Sequence, residues 1–361
     1  MKRFIIILTA LLLATIGIFC GKEEPNQINK VSAPPAPIPV QQTKTKIRIG
    51  YPTMGALING QVGNILQRTN ILENNNIDGD VQGFLYGQGL RDALVTNNLD
   101  VILTSEANFV TLVGGKTPFP CKVIATLGSA GRIGIMVRLD ATLKSVADLK
   151  NKVILTPFGT SAHYPTVKWA TDAGLTPGQD IEIRNSQAAE ARQALIRGDV
   201  DGIALWDPYI AQMLEEKQTK LLISKTDFWT TTIVSESFYN KHKDALADLI
   251  VSLKESLFYL ATHQEQANQW LSETMKVDAK LIHEGSKHNT NYQAKSMESV
   301  STSPNEDLIM VLEAIAGFNI ASGLSKTQPD IKANVDTGLA KTAENKFKSR
   351  GNYDPARVTI K

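Results

Sequence analysis

Small hydroxyl residues, glycines and aromatics gather in a few short segments of this 361-residue chain. They read Tyr51-Pro52-Thr53-Met54-Gly55, Tyr86-Gly87-Gln88-Gly89, Thr104-Ser105-Glu106, Gly159-Thr160-Ser161-Ala162-His163 and Trp206-Asp207-Pro208-Tyr209. Such a set supplies O–H and N–H donors, exposed backbone and aromatic walls, which is what non-covalent capture of a small polar or anionic solute requires. Each segment follows an apolar run that reads as a strand, and most precede helical spacing. In open α/β sheets that is where ligands sit, beyond the carboxyl ends of strands and against the free N–H groups of helix N-termini.

Three lookalikes of other chemistries fail on a specific residue. Gly159-Thr160-Ser161-Ala162-His163 lies between a strand and a helix as a nucleophile elbow does, but the closing glycine of the elbow is His163 here. Gly115-Lys116-Thr117 ends like a phosphate loop, yet Val110 stands where its first glycine belongs and Pro118 where its helix should start. His283 and His288 are one residue too far apart to share a helix face as zinc ligands, and no metal is expected.

The elements that position these segments show in an internal repeat. Arg91-Asp92-Ala93-Leu94-Val95 through Asp100-Val101 returns, offset by 101 positions, as Arg192-Gln193-Ala194-Leu195-Ile196 through Asp201-Gly202. Each copy is the end of an amphipathic helix, a turn on Asn or Gly, and a short apolar strand, Val101-Ile102-Leu103 or Ile203-Ala204-Leu205. Two such half βαβ units imply two α/β lobes with a cleft between them. Further strands are expected at 46–50, 80–85, 122–126, 133–138, 152–157, 181–184 and 232–235, and helices at 62–72, 243–259 and 306–319. Arg91 and Arg192 are expected to cover sheet edges from helix faces rather than to bind ligand. Asp207, before Pro208, reads as a turn former.

Length supports two lobes, since 361 residues exceed what one core usually organises. The N-terminus carries Lys2-Arg3 and an apolar run from Phe4 to Phe19, which is a secretory signal pattern. Of the 38 Lys and Arg, Lys2 and Arg3 would leave with that signal, so 36 basic side chains face 36 acidic ones. A neutral chain has no basic stripe for nucleic acid. Cys20 closes the apolar run in the position of a lipidated cysteine, so residues 1–20 are expected to be a lipoprotein-type signal peptide. The stretch 21–45, with Pro34-Pro35-Ala36-Pro37-Ile38-Pro39, reads as an extended tether. Cys121, the other cysteine, reads as a small buried apolar residue.

The segments Ile49-Gly50-Tyr51, Gly87-Gln88-Gly89, Thr104-Ser105-Glu106, Gly159-Thr160-Ser161-Ala162-His163 and Leu205-Trp206-Asp207-Pro208-Tyr209, in that order over 46–295, resemble the periplasmic binding proteins of sulfonate, taurine and nitrate importers. The superfamily includes binders of thiamine-precursor pyrimidines and pyrimidine synthases. The resemblance implies an α/β fold of the type II periplasmic binding protein kind, with a hinge and a ligand cleft between its two lobes. The first lobe would span 46–130 and 230–340 and the second 131–229, with a C-terminal tail at 341–361. It also implies that the chain is exported and anchored through lipidated Cys20, acts as a monomer without cofactor, and hands a small anionic or polar solute to an ABC transporter permease. A heterocycle of the pyrimidine kind, or a vestigial cleft on a surface lipoprotein, are the alternatives. The synthases are recognised by a cysteine cluster that Cys20 and Cys121 do not supply, so no enzyme is expected.

Carried over by position, Gly87, Gln88, Gly89, Ser105, Thr160, Ser161 and His163 would hold the head group. Trp206 and Tyr209 would flank the ligand or the hinge, with Tyr51 at the cleft; Trp229 reads either as a residue of the cleft mouth or as core packing, and His163 has a capping or packing role as its other reading. Glu106 departs from the pattern: a carboxylate at a sulfonate site repels the head group unless it meets an ammonium or an amino-pyrimidine edge. The other reading of Glu106 is a helix-capping or surface residue.

Overall fold

The structure is a computed structural model and describes residues 44–128, 131–350 and 353–361. The expected signal peptide, Cys20 and nearly all of the tether lie outside the described residues.

Alternation of apolar residues builds two mixed sheets. Strands β1 (Thr45–Pro52), β2 (Ile77–Phe84), β3 (Val101–Ser105) and β4 (Cys121–Ala125) are joined by β10 (Thr230–Ser235) in the order β2-β1-β3-β10-β4. Strands β5 (Ile133–Arg138), β6 (Val153–Thr156), β7 (Glu182–Asn185), β8 (Gly202–Trp206) and β9 (Thr219–Lys225) form the second sheet, ordered β7-β6-β8-β5-β9. In the first sheet β1 runs parallel to β2 and β3, while β10 lies antiparallel between β3 and β4. The second repeats the plan with β6 parallel to β7 and β8, and β5 antiparallel between β8 and β9.

The helices are α1 (Leu57–Arg68), α2 (Ile71–Asn74), α3 (Gly87–Val95), α4 (Glu106–Gly114), α5 (His163–Asp172), α6 (Ala188–Arg197), α7 (Tyr209–Glu215), α8 (Glu236–Lys241), α9 (Lys243–Thr262), α10 (Gln264–Met275), α11 (Ala279–Ser286), α12 (Glu306–Ala321) and α13 (Thr337–Ser349). They cover both faces of the first sheet. Val101 and Leu103 pack toward α1 and α9, whereas Ile102 between them packs with Leu90, Phe109 and Leu312 on the opposite face. That division is the two-residue period of a strand buried on both sides. None of the helices among the described residues is long and apolar enough to cross a membrane.

The chain passes between the sheets twice, after β4 and after β9. Gly131 sits on the first crossing with φ +142°, and a Cβ there would lie 2.0 Å from the Phe228 ring on the second crossing. Only glycine lets the two crossings touch. Beside them, Asp207 accepts bonds from Arg132 at 2.8 and 3.1 Å and from the Ala211 N–H at 3.1 Å, so it fixes the entry to α7 as a turn former would.

Several sequence expectations are corrected. The helix expected over 62–72 is two helices, separated at Thr69, whose extended backbone ends α1. Strand β9, the edge of the second sheet, was not anticipated. The described residues of the expected tail at 341–361 are folded: α13 buries Ala343 and Phe347 against α9, and Ile360 bridges to Thr69. Periodicity in α13 is diluted by Lys341, Lys346 and Lys348, which hid its packed face.

Candidate ligand-binding cleft

Between the two sheets lies a cavity of about 420 Å³. Its first wall begins at the N-terminus of α3, where Tyr86 precedes the helix in an extended conformation and supplies no side-chain cap. The first-turn amides of Gly87, Gln88 and Gly89 are therefore free to meet a ligand. Gly87 is required here because a Cβ would stand 2.5 Å from Asn108 Nδ2.

Asn108 organises this wall. From the first turn of α4 its Nδ2 donates to Thr104 Oγ1 at 2.8 Å and to Ser105 Oγ at 3.1 Å, and its Oδ1 accepts from the Arg91 guanidinium. Arg91 lines the cavity, half-buried; burial lowers its pKa, and the charge of neighbouring Asp92 works the other way. Among the described residues it forms no ion pair. Asp92, at the cavity rim, is exposed to solvent.

The second lobe brings the loop after β6 and the start of α6. Asn185 Oδ1 accepts the Phe158 N–H at 2.9 Å, and Thr160 Oγ1 donates to the Pro157 carbonyl at 2.7 Å, so both ends of that loop are held in place. Ser161 and Gln187 complete the polar side, while Trp206, Phe228 and Ala56 make an apolar one. Leu85 and Phe158, 61% and 36% exposed, stand on the lining from opposite lobes, which leaves an apolar lip for an organic tail.

The lobes also touch around the cavity. Tyr86 and Tyr209 share a hydroxyl–hydroxyl bond of 2.8 Å, and Trp206 Nε1 donates to the Met54 carbonyl at 3.4 Å. Phe318 of α12 meets the His163 and Tyr164 rings of α5 at centroid distances of 5.1 and 5.4 Å. A Tyr209→Phe substitution is expected to remove about 1 kcal/mol from closure. Titration calorimetry should then show roughly fivefold weaker solute binding with an unchanged melting temperature for the ligand-free protein.

The structure thus brings Gly87, Gln88, Gly89, Ser105, Thr160, Ser161 and Trp206 onto one cavity and leaves five other expected residues off it. Tyr51 is buried in the first core, donating to Gln67 Oε1 at 3.2 Å. Tyr209 acts across the lobes through Tyr86. Trp229 packs against the core around Ile102, and its carbonyl accepts the Glu106 N–H at 3.1 Å. His163 is stacked on Phe158 at 3.9 Å, with Nδ1 unpartnered and its pKa pushed down to about 4 by burial. Glu106 is buried at the start of α4 with Oε2 unpartnered, and burial raises its pKa to about 8. Its carboxylate is not on the cavity lining, makes no side-chain cap bond at the start of α4 and is not at the surface.

Arg91 corrects the opposite expectation. It and Arg192 occupy the fifth position of α3 and of α6, the two copies of the repeat. Arg192 is neutralised by Glu216 just past the end of α7, whereas the matching partner of Arg91 is the neutral Asn108.

Residues 89–267, about half the chain, match the family described as NMT1/THI5 like. Over this stretch the chain is similar to that family. A taurine-binding periplasmic protein of Escherichia coli is 28% identical over 144 residues, covering 37% of this chain and 43% of that protein. The chain spans only 27% to 47% of the length of the curated relatives it matches. Among solved structures, the periplasmic aliphatic sulphonate binding protein SsuA of Escherichia coli aligns with TM-score 0.66 and 21% identity, covering 81% of this chain and 92% of that one. The periplasmic nitrate-binding protein NrtA of Synechocystis aligns with TM-score 0.67 and 17% identity, covering 88% and 94%. These likenesses establish the fold as that of periplasmic binding proteins. The same fold also serves an enzyme, the desulfurization enzyme DszB, at TM-score 0.60 and 12% identity.

Proposed function

We propose that this protein is the solute-binding component of an ABC importer and captures a small organic oxyanion of the sulfonate type between its lobes. The observation that carries the reading is Arg91: a half-buried guanidinium on the cavity wall with no ion pair among the described residues, beside uncapped amides of α3. A cation held this way is matched by an anion that enters and leaves. The apolar side, Trp206, Phe228 and the lip of Leu85 and Phe158, gives the anion an organic remainder, which a bare inorganic ion would not use. The taurine- and sulphonate-binding names of its relatives agree with this chemistry.

In this reading the chain is exported, is held at a membrane by lipid on Cys20, works as a monomer and delivers its solute to a permease. It performs no catalysis. Cys121 opens β4 away from the cavity, and burial raises its thiol to about 12. The cavity hydroxyls of Thr104, Ser105 and Thr160 bond to Asn108 or to backbone carbonyl, and among the described residues none pairs with histidine or carboxylate. Titration calorimetry against alkanesulfonates and a neutral amino-pyrimidine tests the reading. Sulfonate binding with a dissociation constant on the order of micromolar, without pyrimidine binding, is expected. Pyrimidine binding alone, or turnover of a bound sulfonate, would overturn it.

A further inference from the structure

One side chain on the cavity wall has a demand that the oxyanion head does not meet. Asn59, the third residue of α1, lines the cavity and is 0% exposed, yet among the described residues neither its Oδ1 nor its Nδ2 has a hydrogen-bond partner. Buried carboxamides are almost always paired, so an Asn with both atoms unmet, facing a ligand cavity, is a receptor for a ligand group. Its neighbour in the sequence, Ala56, supplies no side-chain cap to α1, so the first-turn amides of that helix add positive potential at the same place.

The two facts select the group. An Oδ1 acceptor asks for a donor, and the Nδ2 donor asks for an acceptor, which an alkyl tail does not offer. An ammonium would satisfy Oδ1 but leave Nδ2 unmet and place a cation at the positive end of a helix. A hydroxyl both donates and accepts, and it is neutral. Asn59 stands on α1, apart from Arg91 and Asn108 on α3 and α4, so one solute can use both anchors if it carries two polar groups. We infer that the solute of this protein is a hydroxylated organic oxyanion, with Arg91 taking the oxyanion and Asn59 reading the hydroxyl. This rests on the oxyanion reading above and narrows it, setting a hydroxyalkanesulfonate above an aminoalkanesulfonate.

The test is calorimetry of the full mature chain with three probes of equal length: 2-hydroxyethanesulfonate, ethanesulfonate and taurine. The wild type is expected to bind the hydroxylated probe at least about tenfold more tightly than the other two. In Asn59→Leu, and in Asn59→Ala as a smaller replacement, that preference should vanish while ethanesulfonate affinity stays within about twofold, which also certifies that each variant is folded. The ligand-free melting temperature of Asn59→Leu should not fall, because the carboxamide has no protein partner to lose. Equal wild-type affinity for the hydroxylated and plain probes, a preference for taurine, or a preference that survives both substitutions would each overturn the inference. Absence of binding by all three probes would instead show the oxyanion reading itself to be wrong, and this inference would fall with it.

Discussion

Arg91→Met is expected to weaken sulfonate binding about a hundredfold, while Arg192→Met leaves it unchanged. The pair is a controlled comparison, since the two arginines hold equivalent positions in the repeated helices and differ in what faces them. Arg192 meets the carboxylate of Glu216 near the surface, and exposed pairs of that kind contribute at most about 1 kcal/mol to stability and nothing to a cleft they do not line. Arg91 meets the uncharged carbonyl of Asn108, and burial works against its charge. A hydrogen bond to a charged group contributes about 1.5–3 kcal/mol, and loss of a desolvated partner falls in a similar or larger range. About 3 kcal/mol corresponds to the hundredfold loss. The ligand-free variant should be as stable as the wild type or more so, because a half-buried guanidinium with no ion pair among the described residues is removed. Arg91→Lys should recover little, since a point charge cannot keep the bond to Asn108 and also offer a fork to an oxyanion. Calorimetry with an alkanesulfonate and a thermal melt of each ligand-free variant check this. Equal loss of affinity in the Arg91 and Arg192 variants would remove Arg91 from the site.

Much of the fold was legible because strand alternation and the repeat are local signals. Val101-Ile102-Leu103 and Ile203-Ala204-Leu205 each send alternate residues to opposite cores, and that pattern is present in the chain before any contact forms. Strand β9 escaped because Thr219 to Lys225 follows a charged turn and carries lysines at both ends, as edge strands often do. The loops of the cleft were legible as a class of residue, but their individual roles depended on contacts far along the chain. Tyr51 bonds within its own lobe, while His163 is turned against Phe158 and Phe318 of α12, more than a hundred residues away in the latter case. Glycines and hydroxyls announce a binding loop, whereas the direction of a His or Glu at a helix start depends on what packs over it. Asn59 was overlooked for a related reason: Leu57-Ile58-Asn59-Gly60 reads as an apolar helix start, and its one polar residue gains meaning only when the second lobe covers it.

Glu106 carries the largest expected dependence on pH. Its carboxyl is enclosed at the start of α4, with Oε2 unpartnered, and burial lifts its pKa from the ordinary 4.5 to about 8, partly offset by its own backbone N–H and by Lys225. A carboxyl whose pKa is higher in the folded than in the unfolded chain favours folding in its protonated state. Its contribution is complete below about pH 4.5, fades as pH rises through the window from 4.5 to about 8, and is gone above it. The stability lost across that window is on the order of 5 kcal/mol, since one pKa unit corresponds to about 1.4 kcal/mol. Glu106→Gln keeps the shape and removes the ionisation, so urea melts of the variant should lose far less stability between pH 5 and pH 9 than those of the wild type, each value being a rough bracket of that window. At the acidic end the two should be nearly equal, and at the alkaline end the variant should be the more stable. Parallel stability curves for the two proteins across the window would mean that the carboxyl is already ionised in the folded chain.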